Sequence, residues 1–364
     1  MTLSTTTAHH PPSAIPHRKV LREWLAPVSA PSTVRALALV AFDLALLALA
    51  MAAAVLARGV LPSLLAAASV GLVISRLFIL GHDACHQSFT RRRRLNRWIG
   101  RIVFLPSLTP YSLWEIGHNV VHHGYTNLRG FDFVWQPLTL AEYRALPRWR
   151  RALERLYRSG WAPWLYYLVE IWWARMLFPS RRTMPTRRRI FIWDSLLVTA
   201  FAALWLGGLI AAAIALGQSV AWTVVTGFVV PFLVWNGMMG FVVYVHHTHA
   251  GIAWHQDKAA WAASQPFVST TVHLTFRSAM GGLLHNIMSH TAHHVDMGVP
   301  LYRLPQAQAL LEAKLPDRIV IQPFSWRWYA RTARHCKLYD YERGLWTDFD
   351  GRASPAVDTQ ALPG

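Results

Sequence analysis

The chain has 364 residues, of which 53% are hydrophobic and only 15% charged, yet 36 Lys and Arg oppose 18 Asp and Glu for a formal net charge of +18. Apolar runs flanked by arginines exclude a soluble nucleic-acid-binding domain as the source of that charge and imply an integral membrane protein with a cationic face. Two cysteines, Cys85 and Cys336, exclude both a disulfide framework and a Cys-based metal site, so Cys85 reads as a small apolar spacer.

Residues 1–31 are rich in Thr, Pro and His and lack the apolar core of a signal peptide, which predicts a flexible N-terminal tail; His9, His10 and His17 lie there and are set aside as ligands. At about 20 residues per crossing, four stretches are apolar enough to span a membrane: 32–57, 63–80, 190–216 and 220–245. Asp43 falls inside the first of them, where a carboxylate is costly and needs a partner. The stretch 102–113 is interrupted by Pro106 and Pro110 and reads as re-entrant or interfacial. The stretch 161–178 carries Trp161, Trp164, Tyr166, Tyr167, Trp172 and Trp173, as an aromatic belt at the headgroup level would. Residues 317–364 are basic and aromatic and read as a C-terminal segment on the cytoplasmic face.

The turns between paired spans hold almost no charge: Arg58 in one, none in Gly217-Gln218-Ser219. The opposite ends carry Arg18, Lys19 and Arg22, Arg91 to Arg94, and Arg181, Arg182 and Arg187 to Arg189. Lysine and arginine favour the cytoplasmic side, so both termini are expected there. The expected fold is an all-α integral membrane protein: four transmembrane helices in two hairpins over residues 32–316, with a cytoplasmic helical cap.

Three histidine clusters fall on that same side: His82-Asp83-Ala84-Cys85-His86, His118-Asn119-Val120-Val121-His122-His123 and His290-Thr291-Ala292-His293-His294. Imidazole is the commonest protein ligand for transition metals. His82 and His86, His118 and His122, and His290 and His294 are each four residues apart, a spacing that places two side chains on one face of a helix. The adjacent His123 and His293 then point elsewhere and can serve a second ion. Eight such residues exceed one tetrahedral zinc and suit two metals of higher coordination number. All-imidazole ligation fits Zn, Cu, Ni or Fe, and no His-Glu-x-x-His metalloprotease signature is present. A histidine-rich metal transporter is the rival from another class; it would place its ligands near the bilayer midplane, whereas these lie just past the span ends.

The residues around the clusters narrow the choice. Gly81-His82-Asp83-Ala84-Cys85-His86, His122-His123-Gly124-Tyr125-Thr126-Asn127, His247-Thr248-His249-Ala250 with His255-Gln256-Asp257, and His285-Asn286-Ile287 ahead of the third cluster follow one another in order. This set resembles the membrane fatty acid desaturase family, closest to its acyl-lipid delta-12 and omega-3 branch, over about residues 30–320. Two departures from that branch are visible. The second cluster is HxxxHH, one residue longer than HxxHH, and His246 stands where the branch carries Gln.

The resemblance implies two iron ions held by His82, His86, His118, His122, His123, His290, His293 and His294. It also implies one further histidine after the fourth span, for which His247 fits best, with His249 and His285 behind it. His255, His273 and His335 are given no role. The implied reaction is O2-dependent: two hydrogens leave adjacent methylene groups of an acyl chain, a C=C bond forms and O2 is reduced to water. Hydroxylase, ketolase and acetylenase activities are the alternatives on the same scaffold. The chain shows no dinucleotide-binding, ferredoxin or cytochrome segment, which points to a separate ferredoxin- or cytochrome-type electron donor. The substrate is a membrane lipid or acyl thioester, and the composition points to a bacterial inner membrane. Asp83, Asn119, Asn286 and Asp296 are the polar neighbours expected to orient the imidazoles.

Overall fold

The computed structural model describes residues 15–181, 183–184, 186–277 and 280–355. Four helices are long and apolar enough to cross a membrane: Thr33–Leu56, Val60–Cys85, Arg189–Ala215 and Val220–His247, the last with a π-helical stretch over Val225–Val229. Their apolar stretches are not used alike. In the second and fourth, 61% and 44% of the most apolar stretch is buried by the protein, against 17% in the first and in the third. The inner pair therefore forms the core, and the outer pair leaves side chains such as Val34, Leu49, Leu204 and Ile214 exposed, as a lipid-facing helix must.

The inner pair meets at Gly71. A Cβ placed there would lie 2.5 Å from Val234 Cβ and 2.7 Å from the Pro231 carbonyl oxygen, so only glycine allows the two backbones this close. Gly71→Val is expected to push the helices apart at a cost of about 1–3 kcal/mol, read as a lower thermal midpoint of the detergent-solubilised protein. An unchanged midpoint would remove Gly71 from the packing argument.

Three features differ from the sequence reading. The stretch expected to be a tail is helical over Arg18–Leu25, with Leu21 and Leu25 fully buried. Its arginine holds it down: Arg18 donates to the carbonyl oxygens of Val295 and His294, both at 2.9 Å. These two residues end a short helix, whose free carbonyls attract a cation. His9 and His10 lie outside the described residues. The chain is also not purely α. Val272–Thr275 pairs in parallel with Val320–Pro323, and Leu338–Asp340 pairs antiparallel with Leu345–Thr347. The first pairing joins residues past 316 to the segment leading into the third cluster, and Tyr329 packs on Phe241 and Tyr244 of the fourth helix, so the C-terminal stretch belongs to the core.

The aromatic stretch expected at the interface is divided. Tyr166, Tyr167 and Trp172 are buried, while Trp161 and Trp173 are exposed. The proline-bearing stretch 102–113 is the break between the helices Arg93–Phe104 and Tyr111–Glu115.

Candidate metal centre

The clusters sit where long helices end and short ones begin. His82 lies in the last turn of the second long helix, and His86 is its C-cap. His247 is the last residue of the fourth. The third cluster forms its own short helix, His290–Val295, and all three of its histidines are buried.

The second cluster is not α-helical. Ile116–His122 is a π-helix, and the His123 amide donates to the His118 carbonyl at 2.9 Å, a bond five residues long. Such a turn absorbs one additional residue without breaking the helix, which is how HxxxHH is accommodated here. It also changes the expected pairing. His118 shares a site with His123 rather than with His122.

The nine histidines fall into two groups. In one, ligand atoms of His82, His86, His118, His123 and His293 all lie within 4.8 Å of one another; in the other, those of His122, His247, His290 and His294 do. Within the first, Nε2 atoms stand 2.9 Å apart for His118 and His82, 3.0 Å for His123 and His118, and 3.0 Å for His293 and His123. In the second, His290 Nε2 is 3.1 Å from His247 Nε2. Two nitrogens about 2.1 Å from one ion and at right angles are about 3.0 Å apart. The spacing is therefore that of neighbouring donors around a common ion, whereas a single N–H can serve only one of several converging lone pairs.

The electrostatics agree. Burial first, and neighbouring rings second, hold His118, His123, His290, His293 and His294 well below the usual imidazole range, and push His86 down to about 3. These rings are neutral at any physiological pH, the state in which imidazole binds a metal. His294 Nε2 is buried without a protein partner, as a donor reserved for an ion would be. The residues present thus fit two transition-metal ions of N-donor preference.

Other described histidines have partners outside the two groups. His249 Nε2 contacts Gln322 Oε1 at 3.2 Å, His285 Nε2 contacts Asp43 at 2.5 Å, His273 pairs with Glu312 at 2.5 Å and His255 contacts Ser264 at 3.3 Å. His246 belongs to neither group: its ring stacks on His290 with centroids 3.8 Å apart, and its Nε2 lies 3.2 Å from Met288 Sδ. Glu115 precedes His118 by three residues, a spacing used in soluble di-iron bundles, but its carboxylate accepts from Tyr111 Oη at 3.4 Å and is not among the grouped atoms.

The polar neighbours differ from those expected. Asp83 accepts from Ser88 and the Leu301 amide, Asn119 donates to the Cys85 carbonyl, and Asp296 binds Arg22 and Ser29. Asn286 is held through its backbone, at a left-handed φ of 61°. The contacts to imidazole come from Asp132, with both oxygens 3.1 Å from His122 Nδ1, and from Thr126 Oγ1, 3.2 Å from His294 Nδ1. Thr126 belongs to the HHxxTN segment, and Asp132 follows it by six residues in a Gly-Phe-Asp turn, so its role was visible only once that turn closed back on the π-helix.

An apolar cavity borders both groups. Its wall includes His82 and His118 of the first group and His122, His247 and His290 of the second, and the rest is mainly Phe78, Trp114, Phe133, Tyr167, Ile171, Met239 and Val242.

The model of the fatty acid desaturase family matches residues 58–326. The chain is 33% identical over 234 residues to the sn-1 oleoyl-lipid 12-desaturase of Arthrospira platensis, covering 64% of each chain. It is 29% identical over 277 residues to the enzyme of the same name from a Picosynechococcus strain, covering 75% of each. It is 29% identical over 278 residues to that of a Synechocystis strain, covering 76% of each. The histidine clusters, the spans that carry them and the cavity all lie within the matched region, and the chain belongs to the fatty acid desaturase family.

Proposed function

We propose that this protein is an O2-dependent acyl-lipid desaturase that inserts a second double bond, at carbon 12, into a lipid-bound oleoyl chain. The reading is carried by one observation: the apolar cavity is bordered by histidines of both groups, so a methylene chain lying in it would pass alongside both. The position and the oleoyl substrate follow the names of the relatives. His82, His86, His118, His123 and His293 would hold one iron, and His122, His247, His290 and His294 the other. When bound, the two irons supply the O2 activation and hydrogen removal that side chains cannot perform.

The protein's own part is binding and exclusion. Phe78, Phe133, Ile171 and Val242 make the wall apolar beyond the histidines, so little there can hold water and the acyl chain lies in a mainly dry pocket. Asp132 keeps the His122 proton on Nδ1 and leaves its Nε2 free, and Thr126 orients the His294 ring. The four spans form two hairpins with termini, cap and irons on the cytoplasmic side, as the arginine distribution favours, and the composition favours a bacterial inner membrane. Removing two hydrogens while reducing O2 to two waters takes two electrons and two protons from outside, which a separate ferredoxin- or cytochrome-type protein delivers.

Expression in a host of known lipid composition, followed by mass spectrometry of its fatty acids, tests the proposal. A new double bond at carbon 12 of oleoyl lipid is expected. Val242→Trp, which narrows the cavity without replacing a histidine, is expected to remove the product and leave the iron content unchanged. A protein that binds iron and transports it across vesicles, with no change in host lipids, would overturn the reading.

A further inference from the structure

Two of the carboxylates buried inside the long helices, Asp43 in the first and Asp194 in the third, face an arginine. Each is bound by an arginine from another helix. Arg76 of the second long helix reaches Asp43 Oδ1 with Nε at 2.9 Å and Nη2 at 2.7 Å. Arg101 reaches Asp194 with Nε at 2.7 Å and Nη2 at 3.4 Å. An ion pair so placed adds little net stability over apolar packing, so its presence calls for another explanation.

The second oxygen of each carboxylate supplies it. Asp43 Oδ2 binds His285 Nε2 at 2.5 Å, five residues ahead of His290, and Arg76 also donates to the Leu283 carbonyl at 2.6 Å. His285 and Asn286 are consecutive non-glycine residues in the left-handed region, with φ of 49° and 61°. Such a pair persists only where its surroundings hold it. Asp194 Oδ2 accepts the Ser112 amide at 2.9 Å, in the first turn of the helix that runs on into the π-helix bearing His118 and His122. The amide groups of a first turn have no partner within their own helix, so a carboxylate there sets where the helix begins.

We infer that Asp43 and Asp194 are positioning residues, one for each pair of long helices, that clamp the segments delivering the third and the second histidine clusters to the membrane core. The inference rests on the reading of those clusters as iron ligands, but the clamps themselves can be tested apart from it.

The variants are Asp43→Leu with Arg76→Met, and Asp194→Leu with Arg101→Met, each removing both charges so that no lone ion stays buried. Hydrogen exchange in full-length, detergent-solubilised protein reads the clamps directly. Amides of 281–289 in the first variant and of 111–118 in the second are expected to exchange at least tenfold faster, with the thermal midpoint retained. In lipid turnover assays kcat is expected to fall at least tenfold with KM unchanged, and Asp43→Glu to recover part of it. Native exchange in both segments, or loss of midpoint with wild-type kcat per folded molecule, would overturn the inference. Wild-type protein that holds no iron and makes no new double bond would instead sink the functional proposal, while the exchange result would still stand or fall on its own.

Discussion

His247→Ala is expected to remove one of the two irons and to lower the yield of new double bonds by roughly a hundredfold or more, since losing even an outer partner of a metal-bound imidazole costs 10–100-fold. The asymmetry of the two groups sharpens this. His247 is one of four candidate donors, and its loss leaves three; His86 is one of five, and its loss leaves four. Iron per chain, measured by atomic emission on purified protein, should therefore fall further for His247→Ala than for His86→Ala. His249→Ala and His285→Ala should keep both irons, because their rings face Gln322 and Asp43 rather than the groups. If His247→Ala kept two irons and full product while His249→Ala lost one, the division of the histidines into these two groups would be wrong.

Much of this site was legible because its signals are local. A histidine four residues from another, or directly following a run of apolar residues, carries its placement in the sequence, and His82, His86, His290, His294 and His247 are of this kind. The existence of the four spans was legible for the same reason, since hydropathy is a property of consecutive residues, but the second, expected over 63–80, runs over Val60–Cys85 and takes His82 into its last turn. What escaped depended on contacts between distant segments. The grouping of His118 with His123 required knowing that the helix widens to a π turn, and a four-residue spacing read as α-helix pairs His118 with His122 instead. The helix Arg18–Leu25 is amphipathic, with Leu21 and Leu25 four residues apart, but it is too short to be stable alone and is held by Arg18 against residues more than 270 positions away. Asp43 was recognisable as a carboxylate in need of a partner, but nothing in the sequence names Arg76 and His285 as the partners.

Asp132 makes the same point and carries the second large expected effect. It is fully buried, and its two oxygens face His122 Nδ1 and the amides of Asn127 and Val134, the amides at 2.9 Å each. Three donors thus converge on one carboxylate, which can accept from all of them. Asparagine at this position has one accepting oxygen and one donating nitrogen. Both carboxylate oxygen positions lie 3.1 Å from His122 Nδ1, so where the asparagine nitrogen becomes the partner the imidazole offers Nδ1 as acceptor and carries its proton on Nε2, the atom needed for the metal. If its oxygen faces His122, a buried backbone amide loses its partner, at about 1–3 kcal/mol, and the turn that holds Thr126 against His294 loosens. Either way the second group suffers, and Asp132→Asn is expected to weaken binding of its iron and to slow desaturation by roughly 10–100-fold, while the five-histidine group keeps its ion. Competition with a graded chelator, followed by iron analysis, separates the two sites. Loss of both ions together, or an unchanged chelator titration with full activity, would show that Asp132 does not act through His122.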